Sequence, residues 1–447
     1  MKVRASTERV HCIYCRQKIN SWQERELNYH KECKTEVDLY QWHIAPQTFF
    51  ENHIQLLVGN WFLVEHGTFN DGELVSLELD GLGLRELPNS VGYLTSLKHL
   101  KATNNKFRIL PKTLGNLTCL EELNLSKNSI HTIPKEVASL QQVRKVNFSN
   151  NALENVSPAV GQMQGLRELD LSFNKLNALP DEVGDLHRLR ILRLEGNHLT
   201  TLPRTIQKLE KLKELSLGTK YGRNYLMDLP RELARLPRLE VLHLAKNPLH
   251  ELPSVIRHLS NLTELYMGDT GLKTLPDWLG ELTNLRLLSL DGNGLTELPR
   301  AVGRLLNLQT LSLENNYLSQ LPEELGKLDN LQSLHLDRNQ FTNFPSLLQR
   351  MLQLETLTFS SNYLNEVPNW VDNLRSLEQL RLDRNNLRQI PEEIAKLLKL
   401  RILYLDNNQL TKLPEGIKKL QHLIFLTLYQ NQFSPDYIEG LGIGTVR

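Results

Sequence analysis

Apolar residues along this chain recur in one frame, L-x-x-L-x-L-x-x-N-x-L. It opens at Leu74 and returns at Leu97, Leu120, Val143, Leu166, Leu189 and Leu212, then at Leu239, Leu262, Leu285, Leu308, Leu331, Leu354, Leu377, Leu400 and Leu423. These sixteen copies are spaced 23 residues apart except for a single step of 27. A fixed period of this length marks a repeat architecture, each copy being one small supersecondary unit. Within a copy, x-L-x-L-x alternates with period two and predicts a short strand, leucines inward and variable residues outward. The chain must then turn, which leaves interior backbone donors and acceptors that an Asn side chain can satisfy with its two ends. Fourteen copies carry that Asn, among them Asn105, Asn128, Asn293 and Asn408, while Leu82 and Thr270 stand in for it in the other two. Next come Leu-Pro (Leu87-Pro88, Leu110-Pro111, Leu298-Pro299) and an apolar group ending in Leu94, Leu117 or Leu305. That stretch predicts a short helical or 3-10 return on the far side.

One copy cannot bury its own apolar face, so neighbours must stack into a parallel-stranded solenoid. At about 4.8 Å per strand, the expected concave sheet runs roughly 70 Å along its arc, an extended surface without a deep pocket. The frame resembles that of leucine-rich repeats, which implies an α/β solenoid over residues 74–433, roughly four-fifths of the chain. Its exposed ends need caps. Residues 39–73 are assigned to a helical N-terminal cap, because Phe50, Ile54, Leu57, Val58 and Trp61 share one helical face. Residues 434–447 are assigned to a C-terminal cap or tail, with Phe425, Phe433, Tyr437, Ile438 and Leu441 as candidates to close the core.

Composition narrows the setting. With 52 Lys+Arg against 51 Asp+Glu, the formal charge is +1, which gives no electrostatic case for nucleic acid or an anionic membrane as partner. MKVRASTERV lacks the apolar run of a secretory signal, and no 18 consecutive residues are apolar, so a cytoplasmic protein is expected. In that setting the sequons at Asn116 and Asn261 are by-products of a sequence rich in Asn, Leu and Thr. Four cysteines are too few for a disulfide framework.

Three of those cysteines lie in HCIYCRQKINSWQERELNYHKEC, where Cys12, Cys15, His30 and Cys33 read C-x2-C-x14-H-x2-C. Tetrahedral zinc favours this donor mix, and pairs separated by two residues chelate from two sides. Residues 1–38 are therefore expected to form a small zinc module. Four good ligands leave no open position for a catalytic water, so the expected Zn2+ is structural. A thioredoxin-like reading would need an α/β unit around the motif, and His11 as a substitute ligand sits awkwardly beside Cys12. The segment resembles the first half of a LIM-type or treble-clef module, with Tyr29-His30-Lys31-Glu32-Cys33 matching the YHxxC ending. KTEVDLYQWHIAP supplies no cysteine for a second zinc, which weakens a ubiquitin-ligase reading.

No G-x-x-x-x-G-K-[ST] loop and no kinase or hydrolase signature is present, so an enzyme is not expected. GLGIGT near the C-terminus lacks a flanking strand and helix, and Cys119 has no identifiable histidine partner. Function is expected instead at variable strand positions. The residue after the second strand leucine gives Asp291, Glu314, Asp337, Ser360, Asp383 and Asp406 in six consecutive copies, beside His335, Arg338, Arg381, Arg384 and Tyr404. That acidic row fits two readings equally, partner contact or local hydrogen bonding. Tyr266, Phe425 and Tyr429 also point outward, and aromatic and Arg groups are favoured binding anchors. The 27-residue step, LSLGTKYGRNYLMDLP, carries Lys220, Tyr221, Arg223 and Tyr225 to a rim of the concave face. It reads as a tolerated loop insertion or as a contact for a partner.

LPKTLGNLTCLEELNLSKNSI and LPEELGKLDNLQSLHLDRNQF show a pattern that resembles the Ras-group leucine-rich repeat proteins. The resemblance implies a scaffold or adaptor that binds a Ras-like small GTPase through its concave face. The alternatives are a solenoid recognising a peptide or bacterial surface component, and, from another class, a zinc-dependent enzyme or ubiquitin-ligase factor.

Overall fold

The structure, a computed structural model, describes residues 66–434 apart from 71, 72 and 88, together with Tyr437. The chain divides between Leu189 and Arg190 into two compact units. In the first, β1 (Gly67–Asn70) pairs antiparallel with β2 (Glu73–Glu78), placing Gly67 opposite Leu77. The described end of the segment assigned to a helical cap is thus a strand, while residues 39–65 lie outside the described residues. β3 (His99–Lys101), β4 (Glu122–Asn124), β5 (Lys145–Asn147) and β6 (Glu168–Asp170) continue in parallel, aligning Leu77, Leu100, Leu123, Val146 and Leu169 in one column.

The second unit repeats the device eleven times. Its strands are β7 (Ile191–Arg193), β8 (Glu214–Gly218), β9 (Val241–Leu244), β10 (Glu264–Tyr266), β11 (Leu287–Ser289) and β12 (Thr310–Ser312). They continue as β13 (Ser333–His335), β14 (Thr356–Thr358), β15 (Gln379–Arg381), β16 (Ile402–Tyr404) and β17 (Phe425–Thr427), each parallel to the one before. Alternation has the predicted consequence: Leu311, Leu334 and Leu357 are wholly buried, while Thr310, Ser312, Ser333 and His335 beside them are half-buried on the opposite face of the strands.

The asparagines close the turn after each strand. Asn316 Nδ2 donates to the carbonyls of Leu290 and Leu313 at 3.0 Å, and its Oδ1 accepts the Leu295 amide at 3.1 Å. Both ends of the side chain therefore satisfy buried backbone groups that no water reaches. The residue just before the Asn adopts a left-handed backbone, as at Asn315 (φ 53°), Arg338 (φ 52°) and Arg384 (φ 58°).

The far side of each repeat is a five-residue 3-10 helix, such as Arg300–Arg304 and Glu323–Lys327. Proline at the preceding position supplies an extended φ of −66° at Pro299 and needs no amide there. Strands recur about every 4.8 Å whereas packed α-helices need roughly 8–10 Å, so the tighter element fits the repeat better. Glycine in the L-G-x-L stretch permits the close approach: a Cβ on Gly303 would lie 2.3 Å from the Glu324 carbonyl oxygen.

At the C-terminal end, Tyr437 Oη accepts the Leu413 amide at 2.7 Å and its ring stacks on Phe433 at 5.5 Å. Phe425 is placed on the strand. It lies half-buried on the strand side, 5.3 Å from the Tyr404 ring, because it occupies an outward strand position. Ile438, Leu441 and the GLGIGT stretch lie outside the described residues. Among the described residues no helix is long and apolar enough to cross a membrane.

Candidate binding face on the strands of the second unit

Strands β10 to β17 bring most of the sequence-selected residues onto one face, since outward positions of successive strands stand in register. Tyr266 stands opposite His243 and His335 opposite Ser312, while Arg381 stands between Thr358 and Tyr404.

The acidic row resolves mainly into local hydrogen bonding. Asp291 accepts from Ser289 Oγ at 2.7 Å and from Ser312 Oγ. Asp337 accepts the Ser360 amide at 2.5 Å, and Asp383 accepts Ser360 Oγ. Asp406 accepts the Tyr429 amide at 2.7 Å and the Thr427 hydroxyl. The same device appears in the first unit, where Asp80 accepts the Thr103 amide at 2.7 Å. Aspartate at this position ties one strand end to the next.

Glu314 is different. Its side chain is 44% exposed, and its carboxylate lies 3.8 Å from His335 Nδ1. Burial, then the neighbouring Asp337 and Asp291, push its carboxyl above the usual glutamate value. Burial likewise raises Asp337 and lowers His335, which is therefore neutral at neutral pH. The centre of the face is a crowded group of carboxylates, whose mutual repulsion Arg381 and Arg338 offset only in part.

Cationic and aromatic groups gather on both sides of it. The Arg381 guanidinium lies 4.9 Å over the Tyr404 ring and 3.7 Å from Asp383, so Arg381, Tyr404 and Phe425 form a chain across β15, β16 and β17. Arg338 and Arg384 sit at left-handed rim positions and make no ion pair among the described residues. Tyr429 is 69% exposed. Tyr266 is more committed: its ring stacks on His243 at 4.2 Å and its hydroxyl donates to Glu264 at 2.8 Å. Burial and that carboxylate push the phenol well above its ordinary value. His243 is a member of the face that sequence reasoning missed. Its outward strand position, two residues before the position of the acidic row, was the available signal.

The insertion is absorbed without breaking the asparagine ladder. Asn224 takes the ladder place, donating to Leu194 and Leu217 carbonyls at 2.9 and 2.8 Å and accepting the Leu199 amide at 2.9 Å. Lys220, Tyr221 and Arg223 are exposed beyond the end of β8.

Cys12, Cys15, His30 and Cys33 lie outside the described residues. Among the described residues no group of His, Cys, Asp or Glu is arranged to hold a metal ion. Cys119 is a free, exposed thiol.

Models described as leucine rich repeats match residues 120–176, 141–199, 164–221 and 237–295, and again 376–397 and 399–420. A leucine-rich repeat region model matches 277–382. No curated protein matches the chain. Among solved structures, a leucine-rich repeat protein of Leptospira interrogans is 36% identical, with a TM-score of 0.76 over 82% of this chain and 92% of that one. The plant peptide hormone receptor RGFR1 in complex with RGF2 is 26% identical, with a TM-score of 0.62 over 80% of this chain and 58% of the receptor. The ectodomain of the Arabidopsis thaliana receptor kinase GASSHO1/SCHENGEN3, in complex with Casparian strip integrity factor 2, is 28% identical. Its TM-score is 0.58, over 80% of this chain and 47% of that one.

Proposed function

We infer, since this chain belongs to the leucine-rich repeat family, that it is a protein-binding scaffold holding a partner segment along the strands of its second unit. One observation carries the reading: the Arg381–Tyr404–Phe425 chain stands beside the carboxylate centre at Glu314 and Asp337 on a single face. Stacked arginine and tyrosine offer large, rigid contact area, and the carboxylates add charge selectivity at low cost in ordering. An extended face built from strand residues suits an extended protein segment better than a small molecule. The two plant neighbours, each in complex with a hormone or factor, support a peptide-like segment.

A Ras-like small GTPase is the second reading. It rests on the LPxxhGxL repeat pattern, as in LPEELGKLDNLQSLHLDRNQF. Under either reading the chain acts as an adaptor rather than as an enzyme. The same proposal places it in the cytoplasm, where the free Cys119 and the thiolates of Cys12, Cys15 and Cys33 stay reduced. It also assigns a structural zinc to those three cysteines and His30, whose Cys3His donor set fills a tetrahedron.

The test is affinity capture with the full chain and with an Arg381→Ala/Tyr404→Ala variant, from the cells that make it. Proteins retained by the first and lost from the second support the binding face. Recovery that is indifferent to the two substitutions overturns it. Retention that depends on GTP-analogue loading selects the GTPase reading over the peptide reading.

A further inference from the structure

We propose that the insertion Thr219–Tyr225 is a second docking point, separate from the Arg381 cluster, for a carboxylate-bearing segment of a partner protein. The loop is firmly held. The Thr219 amide donates to the Gly222 carbonyl at 2.8 Å, the Gly222 amide returns to Thr219 at 3.3 Å, and Gly222 is buried. Asn224 then fixes the exit from the loop in the buried ladder. A slack insertion would carry no such ties at both ends.

What the loop presents is equally specific. Tyr221 is 77% exposed and the adjoining Met227 is 70% exposed. Lys220 Nζ lies 4.9 Å from the Tyr221 ring centre, and the Arg223 guanidinium lies 4.9 Å from that of Tyr225. Neither cation has a carboxylate partner among the described residues. Cations in and beside neighbouring strands do: Arg193 pairs with Glu214 at 2.9 Å and Lys213 with Glu240 at 2.6 Å. Stacking on a ring orients a cation while leaving its hydrogen-bond donors free. Two oriented, unneutralised cations, each stacked on a tyrosine of the same short loop, are complementary to a segment that carries two carboxylates and an apolar residue. An anion too small to span both cations would leave Tyr221 and Met227 uncovered, so the occupant is a polypeptide. Rim charges of this kind act on association rate and salt dependence more than on packing.

The experiment selects a random twelve-residue peptide library, displayed on phage, against the full chain. Recovered peptides are then measured on the full chain, on Lys220→Glu/Arg223→Glu, on Lys220→Gln/Arg223→Gln and on Arg381→Ala. The expected peptides are enriched in Asp and Glu. Their affinity falls about tenfold on charge reversal, falls less on neutralisation and is unchanged by Arg381→Ala. Both cations are exposed, so matching thermal unfolding curves certify that the variants are folded. Peptides without acidic enrichment, or binding indifferent to the reversal, overturn the proposal. Retention on phosphatidylserine vesicles that is lost on reversal, with no acidic peptide recovered, overturns it in favour of a membrane surface. Loss of peptide binding on Arg381→Ala alone would place the peptides on the face proposed above and overturn a separate site.

Discussion

The Thr270 hydroxyl lies 3.1 Å from Asn293 Oδ1, at a place in the second unit where the asparagine ladder lacks its usual residue. The threonine cannot reach as far as an asparagine, and the neighbours compensate. Asn293 Oδ1 also takes the amides of Thr270 at 3.1 Å and Leu272 at 3.0 Å, while the Leu249 amide turns to the Asn247 carbonyl at 2.8 Å. One side chain thus serves two turns.

Asn293→Ala is therefore expected to destabilise the second unit more than Asn316→Ala, whose side-chain oxygen takes the Leu295 amide alone. Each buried donor left without a partner costs about 1–3 kcal/mol, so the difference between the two should be at least about 1 kcal/mol. Urea unfolding followed by circular dichroism measures it. Equal losses would mean that water or a rearranged turn replaces the shared oxygen.

The 3-10 side gives a second contrast. Gly303→Ala drives a Cβ to 2.3 Å from the Glu324 carbonyl oxygen, whereas on Gly326 it would meet Leu347 Cβ at an ordinary 3.4 Å. The first substitution is expected to cost about 1–3 kcal/mol through overpacking. The second should be near neutral. A melting temperature lowered equally by both would show that the glycines matter for backbone freedom and not for close approach.

The fold was legible because leucine at fixed intervals leaves one way to bury a repeating apolar face. Asn224 was legible in the same way: the insertion displaces it by four residues from the frame, and it still takes the ladder place. A five-residue return between proline and leucine suits either helix type, and what favours the 3-10 form, the strand spacing, is not a local property. Burial partners were also hidden. Asp291, Asp337, Asp383 and Asp406 looked alike in sequence to Glu314, but serines, a threonine and backbone amides of adjacent strands claim the aspartates. Phe425 drew two readings, terminal core for its hydrophobicity and outward for its place in the strand alternation, and the second holds, beside Tyr404.

The N-terminal cysteines make a separate prediction. Purified full chain is expected to hold about one equivalent of zinc, measured by atomic emission, and Cys15→Ser or His30→Ala to lose most of it. Because thiolates must lose protons to bind, retention should fall as pH drops toward about 5. Metal content unchanged by both substitutions would remove the proposed ligand set.

Glu314 supplies a test of the crowded carboxylate centre. Its folded-state value is raised above the ordinary 4.5, first by burial and then by Asp337 and Asp291. An acid shifted in this direction binds its proton more tightly in the folded protein. Its favourable contribution is complete below the unfolded value and is lost as pH rises through the folded one. Glu314→Gln keeps the site uncharged throughout. It should therefore be more stable than the parent at pH 7 by a few tenths of a kcal/mol, the screened size for a partly exposed group, with the difference vanishing near about pH 4. His335, neutral at neutral pH because burial lowers it, gives the carboxylate little compensation to lose. Melting temperatures of both proteins across that range decide the matter, and a variant less stable than the parent at pH 7 would mean that Glu314 is held by attraction and not crowded by its neighbours.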